Sequence, residues 1–258
     1  ILSRATSFTI SAWVNFSDLS SGSGLRPFAS NWLGSGTSNY IFRYYQSQLM
    51  LFVHANGSTG NASYAFTPTL DTWYHVLGTW ESGTIQLYLN GAAVGTPGTR
   101  SGTMPTITTS DLIGKYIAAN DYYMDGKMCN LAYWKNTALS LDDILNIYNN
   151  GVPQDLNNFR ITPTAWYPMD DSYTYYNGSV LIARDVINSR DATGYNINQE
   201  NIVGNAPGSE ASGTGTNLNI TYLKGNMKNS INNSYSVNMG DYASGTNPAN
   251  SGRSTNVP

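Results

Sequence analysis

The clearest pattern lies close to the start of the chain. Across residues 8–16, Phe8, Ile10, Ala12, Val14 and Phe16 recur at every second position. Side chains alternate across a β-strand, so this spacing predicts a half-buried strand with Trp13 on its opposite face. Residues 40–45 and 49–54 read as two more strands, followed by the turn pair Asn56-Gly57. Between them, residues 17–39 are rich in Ser and Gly and read as loop around a short apolar piece at 28–33. Residues 73–80, WYHVLGTW, are apolar on both faces, which suits a central strand covered on both sides. Residues 85–94 alternate on either side of Asn90-Gly91, a pair that tolerates the positive φ of a tight hairpin turn. Residues 112–114 and 126–134 are further strand candidates.

One helix stands out, over residues 140–149. Ser140 can cap its first turn, and Asp143, three residues on, completes a capping box. Ile144, Leu145 and Tyr148 form the expected apolar stripe. Gly151 suits the C-terminal cap, and Pro153 prevents continuation. After residue 155 the texture changes. Residues 164–169 read as a strand, and residues 173–183 as strands around Asn177-Gly178. Residues 204–221 read as linker, 235–239 as a last strand, and 241–258, almost without large apolar side chains, as an extended or disordered arm. The fold expected is all-β: an antiparallel β-sandwich of jelly-roll type with one short helix and an irregular C-terminal segment. Its divisions are a sandwich at 1–155, a strand-completing or partial second module at 156–203, and a polar linker and arm at 204–258. The chain enters a strand-like segment at once, so residues upstream of Ile1 are expected.

Composition narrows the function. Only 11% of the 258 residues are charged and the net charge is −3, with no run of Lys or Arg. Phosphate backbones demand clustered cations, so nucleic acid is excluded as a partner. Cys129 is alone, so no disulfide within the chain staples the fold. No apolar stretch approaches the roughly 20 residues of a membrane-spanning helix.

Five pieces, in order, resemble a laminin-G-like jelly-roll domain of the concanavalin-A-like superfamily: FTISAWV (8–14), DTWYHVLGTW (71–80), IQLYLNGAAV (85–94), LIGK (112–115) and DGKMCNLAYWKNTALSLDDILNIYNNG (125–151). The resemblance covers residues 8–151. It implies a sandwich, lectin-like glycan contact and, at the sandwich rim, a possible calcium ion. The family's opening strand is absent upstream of residue 8, while AWYPMDDS (165–172) and ARDVINSRDATG (183–194) resemble that opening part. Either the C-terminal third supplies the missing edge in permuted order, or 161–258 begins a second module that pairs with a neighbouring chain. A jelly roll joined to a polar, Asn-rich, Cys-poor tail also resembles structural proteins of marine bacteriophages.

The superfamily includes glucan hydrolases, but glycoside hydrolysis needs two carboxyl groups about 5–10 Å apart. The only glutamates are Glu81, Glu200 and Glu210, and none shares a strand face with a second acid at the right spacing. His75 reads as a packed histidine, His54 as a solvated one. Asp18, Asp121, Asp125, Asp170 and Asp171 are the candidate calcium ligands. Their spacing matches no known calcium loop, and the same residues suit turns and caps. Trp13, Tyr44, Tyr45, Tyr122 and Tyr123 are the candidate glycan or subunit-contact rings, since amphipathic aromatics serve both purposes. The expectation is a non-enzymatic virion surface or structural protein with a glycan-facing jelly roll. Homo-oligomeric neighbours or other virion proteins, with surface glycans, would be its partners. The rival is a secreted or cell-surface bacterial adhesion domain.

Overall fold

In chain order the strands are β1 (Phe8–Phe16), β2 (Arg26–Asn31), β3 (Tyr40–Tyr45), β4 (Gln48–Ala55), β5 (Ser58–Ala65), β6 (Trp73–Glu81), β7 (Thr84–Leu89) and β8 (Ala92–Thr99). They continue with β9 (Leu112–Ile113), β10 (Gly126–Lys135), β11 (Ala165–Tyr167), β12 (Thr174–Tyr176), β13 (Leu181–Ala183), β14 (Ala192–Thr193), β15 (Ile202–Val203) and β16 (Ser236–Asn238). Helix α1 (Leu141–Tyr148) follows β10. The computed structural model describes residues 1–20, 24–33, 38–106, 109–116, 122–197, 199–204, 206–207 and 236–238. The linker and arm expected at 204–221 and 241–258 lie almost wholly outside the described residues.

Among these residues one curled sheet of 13 strands runs β15-β16-β10-β1-β6-β7-β8-β5-β4-β3-β2-β9, with β11 also on β10. Its pairings are antiparallel throughout. The curl passes through β8, which pairs with β7 along its length and touches β5 at Thr96↔Ser63. Two layers result: β10, β1, β6 and β7 in the first, and β5, β4, β3, β2 and β9 in the second. The period-two residues fill the space between them. Phe8, Ile10, Val14, Phe16, Val76, Trp80 and Leu131 meet Phe28, Phe42, Leu49, Leu51 and Val53 in one buried cluster. Each such side chain contributes about 1.5–3 kcal/mol by leaving water. The layers approach closely at Gly78, where a Cβ would come within 2.6 Å of Leu51 Cδ2.

The first layer is covered on its outer face as well. Leu77, Ala132, Trp134, Leu139, Ile144, Ile147, Leu156 and Trp166 form a second buried cluster there. Helix α1 supplies part of this cover. Ser140 and Asp143 make the reciprocal capping box. Two details differ from the sequence expectation. Ile147, not Leu145, joins Ile144 on the buried stripe, and Leu145 is 48% exposed. Asn149 takes the left-handed cap position at φ 46° and Gly151 follows in a single 3₁₀ turn. An Asn side chain tolerates that conformation, so the helix stops two residues early.

The edge of β10 that faces away from β1 is closed by the chain's own C-terminal part. Leu131↔Tyr167, Ala132↔Trp166 and Tyr133↔Ala165 align β11 on it, and Lys127↔Asn238 and Met128↔Val237 align β16. An open edge would leave unpaired backbone groups, which this addition satisfies. Buried Asp185 fixes β11, accepting from the amides of Trp166 (3.0 Å) and Ile187 (3.1 Å). Strands β12, β13 and β14 make a separate three-stranded sheet, its first hairpin turning through 177–180. Four strands were not anticipated as such, β2, β5 and the two-residue β14 and β15. β2, read as loop, is buried at all six positions, and β5 is too polar for its alternation to show. No described helix is long and apolar enough to cross a membrane.

Candidate functional site

The outer face of the second layer is where the side chains break with the core pattern. In β3, Tyr40, Phe42 and Tyr44 point into the core, so Ile41, Arg43 and Tyr45 point out, Ile41 being buried there at 2% exposure. In β4, Leu49, Leu51 and Val53 point in, which puts Gln48, Met50 and Phe52 outside. Among the described residues no apolar cluster covers this face, and Arg43, Tyr45, Met50 and Phe52 stay half-buried.

Arg43 is the centre of the arrangement. Its guanidinium lies 4.7 Å from the Phe52 ring centroid and 5.3 Å from that of Tyr45. Trp32 meets Phe52 edge-on at 6.0 Å, and His54 edge-on at 6.4 Å. Tyr116 and Tyr122 stack at 5.4 Å with 20° between their planes. Burial lowers the pKa of Arg43, while the phenols of Tyr116, Tyr45 and Tyr122 act to raise it. Its Nε is buried and has no hydrogen-bond partner among the described residues. His54 is 7% exposed rather than solvated, and its Nδ1 lies 3.1 Å from Thr59 Oγ1.

The wall of this face is a narrow ribbon. Lys115 bridges to Tyr123, the Tyr116 amide donates to the Tyr122 carbonyl at 3.0 Å, and the Met124 amide donates to the Gly114 carbonyl at 2.8 Å. Alternation sends neighbouring side chains to opposite sides. Tyr116 and Tyr122 turn toward Arg43, while Lys115 and Tyr123 line a cleft of about 560 Å³ behind. There the Lys115 ammonium donates to the Tyr123 hydroxyl at 2.7 Å. Ile113, Met169 and Leu181 also line the cleft, together with Asp191 and Tyr195, which is 82% exposed. A volume of this size suits a small ligand.

The five rings singled out from sequence therefore separate. Tyr45 and Tyr122 belong to the open face, and Tyr123 belongs to the cleft. Trp13 is 2% exposed and lies on the covered side, stacked on Tyr148 of α1 at 5.8 Å and 5.2 Å from His75. Tyr44 is 4% exposed, packed on Phe16 at 5.2 Å. Neither offers a ring to a ligand, because α1 covers one and the interlayer core holds the other. His75 is buried with its Nε2 2.7 Å from Ser11 Oγ, and burial lowers its pKa to about 3. It is neutral and structural, as its strand position suggests.

The five aspartates separate too. Asp18 and Asp125 lie beside buried Arg26, whose Nε donates to the Asp18 carbonyl at 3.0 Å, and both carboxylates support its charge. A guanidinium already stands where a calcium ion was expected. Asp170 accepts from the amides of Ser172 (2.9 Å) and Tyr173 (3.0 Å) in a turn, and Asp171 adjoins it. Burial first, then the charges of Asp171 and Asp155, raise Asp170 to about 6 against those two hydrogen bonds. Asp121 lies outside the described residues. Among the described residues no three His, Cys, Asp or Glu gather as metal ligands.

Arg43, Phe52, Trp32 and Tyr116 were not among the residues singled out from sequence. Period-two reading of residues 40–45 and 48–55 places Arg43, Tyr45 and Phe52 opposite the core row, and that was the available signal.

The family model described as the concanavalin A-like lectin/glucanases superfamily matches residues 1–145. No curated protein matches the chain in sequence. Among solved structures, a candidate carbohydrate-binding protein from Bacteroides ovatus aligns with a TM-score of 0.55 at 18% identity, covering 75% of this chain and 53% of that one. Domain 4 of a GH43 extracellular arabinanase from Geobacillus stearothermophilus, solved with arabinotriose, aligns with a TM-score of 0.43 at 17% identity, covering 57% and 68%. The chain thus spans about half the length of the first of these structures, and at such identities the likeness is one of fold.

Proposed function

The chain belongs to the concanavalin A-like lectin/glucanase superfamily, and from that premise we propose that it is a non-enzymatic carbohydrate-binding protein whose glycan face is the outer side of β3 and β4. One observation carries the reading: half-buried rings, Trp32, Phe52, Tyr45 and the Tyr116–Tyr122 stack, surround Arg43 on a face with no apolar cover among the described residues. Sugars offer apolar C–H faces that pack on aromatic rings, and hydroxyl groups that phenols and amides read. Gln48 on the same face and Asn61, which pairs with Phe52 across β5, add amides to the rings.

The absence of catalysis is part of this proposal. Its support is the shortage of acid groups, with three glutamates in 258 residues and none set beside a second acid on a strand. Glycan recognition fits an extracellular or surface setting. A second reading puts the same module on a virus particle, the polar stretch beyond residue 204 reaching a neighbouring subunit. It is favoured by the low charge and Asn-rich composition of that stretch. Gel filtration separates the two settings: a closed oligomer favours the particle, a monomer the free lectin.

A glycan array tests the function itself. The native protein is expected to retain at least one oligosaccharide class, and Phe52→Ala to weaken that binding roughly tenfold, as for a central aromatic contact. An array that retains nothing, or an undiminished Phe52→Ala variant, overturns the reading. Release of reducing sugar from the bound glycan would overturn its non-catalytic part.

A further inference from the structure

We infer that the glycan face is built for an acidic sugar: Arg43 receives an isolated carboxylate, of uronic-acid type, on an otherwise neutral oligosaccharide. This inference rests on the glycan reading above and names the class of ligand. A guanidinium has five N–H donors in a planar fork and no acceptor of its own. The Phe52 and Tyr45 rings lie under the fork at 4.7 and 5.3 Å. They hold its plane and offer faces, not acceptors along its edge. Nε is buried without a partner among the described residues.

Three other described arginines, Arg26 in the interior and Arg160 and Arg184 at the surface, are treated differently. Arg26 lies beside Asp18 and Asp125. Arg160 pairs with Asp143 at 2.5 Å, and Arg184 with Asp191 at 4.0 Å. Among the described residues no carboxylate pairs with Arg43. Arg100 shares the orphaned Nε, but no described ring lies under its guanidinium. A partly desolvated charge without a counter-ion is costly, and a carboxylate that forks onto it removes the cost.

The same charge pattern limits the ligand. A densely sulfated polymer needs several clustered cations. This chain has a net charge of −3 and no run of Lys or Arg, so one fork meets one carboxylate. The surrounding rings would then pack the apolar faces of the acidic sugar and its neighbours.

The test is an array of oligosaccharides that contain glucuronic or galacturonic acid, each beside its carboxyl-reduced neutral counterpart, with sulfated oligosaccharides as a third arm. Native protein, Arg43→Gln and Arg43→Lys are compared after thermal melting confirms folding. Native protein is expected to favour the acidic member of a pair by roughly tenfold or more, the scale of a charge-assisted hydrogen bond. Arg43→Gln should erase that preference, its binding of the acidic member falling to the level of the neutral counterpart. Arg43→Lys, which keeps the charge but loses the fork, should retain only part of it and serves as the reading should Arg43→Gln not fold. Equal binding to both members, or a preference that survives in Arg43→Gln, overturns the inference and leaves the glycan reading standing. A stronger response to sulfated members overturns the carboxylate assignment. Failure to bind any member of any pair overturns the inference, and the glycan reading falls with it only when the broader glycan array also retains nothing.

Discussion

The two layers of this sandwich meet water differently, although both present an outer face built from every second residue. On the first layer that face is filled with Leu77, Trp134 and Trp166 and sealed by α1 and the segment from 153 to 187. On the second layer it carries Arg43, Tyr45, Phe52 and Trp32, half-buried and edged by polar strand β5. Each face sets one tryptophan against a histidine. Trp13 and His75 are closed in beneath Tyr148, whereas Trp32 and His54 lie on the open side. The difference teaches where to look for function. A ring under cover stabilises the fold, while a ring held beside a charge with no counter-ion among the described residues is the place to test for recognition.

Truncation on the covered face should have the largest effect. Trp134 is fully buried and donates through Nε1 to the Ile161 carbonyl at 2.7 Å. Trp134→Ala is expected to lose about 3–5 kcal/mol of stability in urea unfolding, by contact loss and cavity formation. Comparable losses for Trp134→Ala and Phe52→Ala would break the distinction between the two faces.

The titrating groups sharpen it at a smaller scale. His75 titrates near 6.5 when unfolded but near 3 when folded, because it is buried. Its contribution to stability is therefore complete above pH 6.5 and is lost as pH falls toward 3. Asp170 runs the other way, raised from 3.8 to about 6. Its contribution is complete below pH 3.8 and is lost as pH rises through 6. Between pH 4 and 6 the two oppose each other, each on the order of a few kcal/mol. Urea midpoints from pH 4 to 6 should then slope downward with rising pH in His75→Asn and downward with falling pH in Asp170→Asn. If both variants keep the native profile, burial does not govern these groups.

The smallest effect on stability belongs to the open face. Tyr45→Ala is expected to cost under about 1 kcal/mol, since its ring is only half removed from water. It should nonetheless weaken retention on the glycan array. A Tyr45→Ala variant that melts far below the native protein would place this ring with the covered ones.

Period two made β1, β6, the hairpin at Asn90-Gly91 and the interlayer core readable from sequence, because each core row is a row of alternate apolar residues. It also separates Tyr44 from Tyr45 and Tyr122 from Tyr123, which side-by-side rings on a strand always require. What it does not reveal is which outer face will be covered. The cover over Trp13 comes from Tyr148, 135 positions later by the difference of their numbers, and that distance leaves no local signature. Arg43 escaped notice because a lone arginine on a strand reads as a solubilising charge until its missing partner is seen. β2 escaped because Ser and Gly surround it, and β5 because its buried positions are too few to form a pattern. The aspartates around Arg26 were read as seats for an added cation when the chain supplies its own.

The ribbon of residues 114–116 and 122–124 has a consequence for sequence drift. Its odd and even positions serve different surfaces, so parity, more than residue identity, decides what each surface contains. Inserting one residue within the 114–116 arm would turn its later side chains over. Lys115 would then be carried to the side of Arg43, cation against cation, and Tyr116 toward the cleft. Length changes within either arm, 114–116 or 122–124, are therefore tolerable in pairs and harmful singly, a constraint that acts on the count of residues in each arm as strongly as on their chemistry.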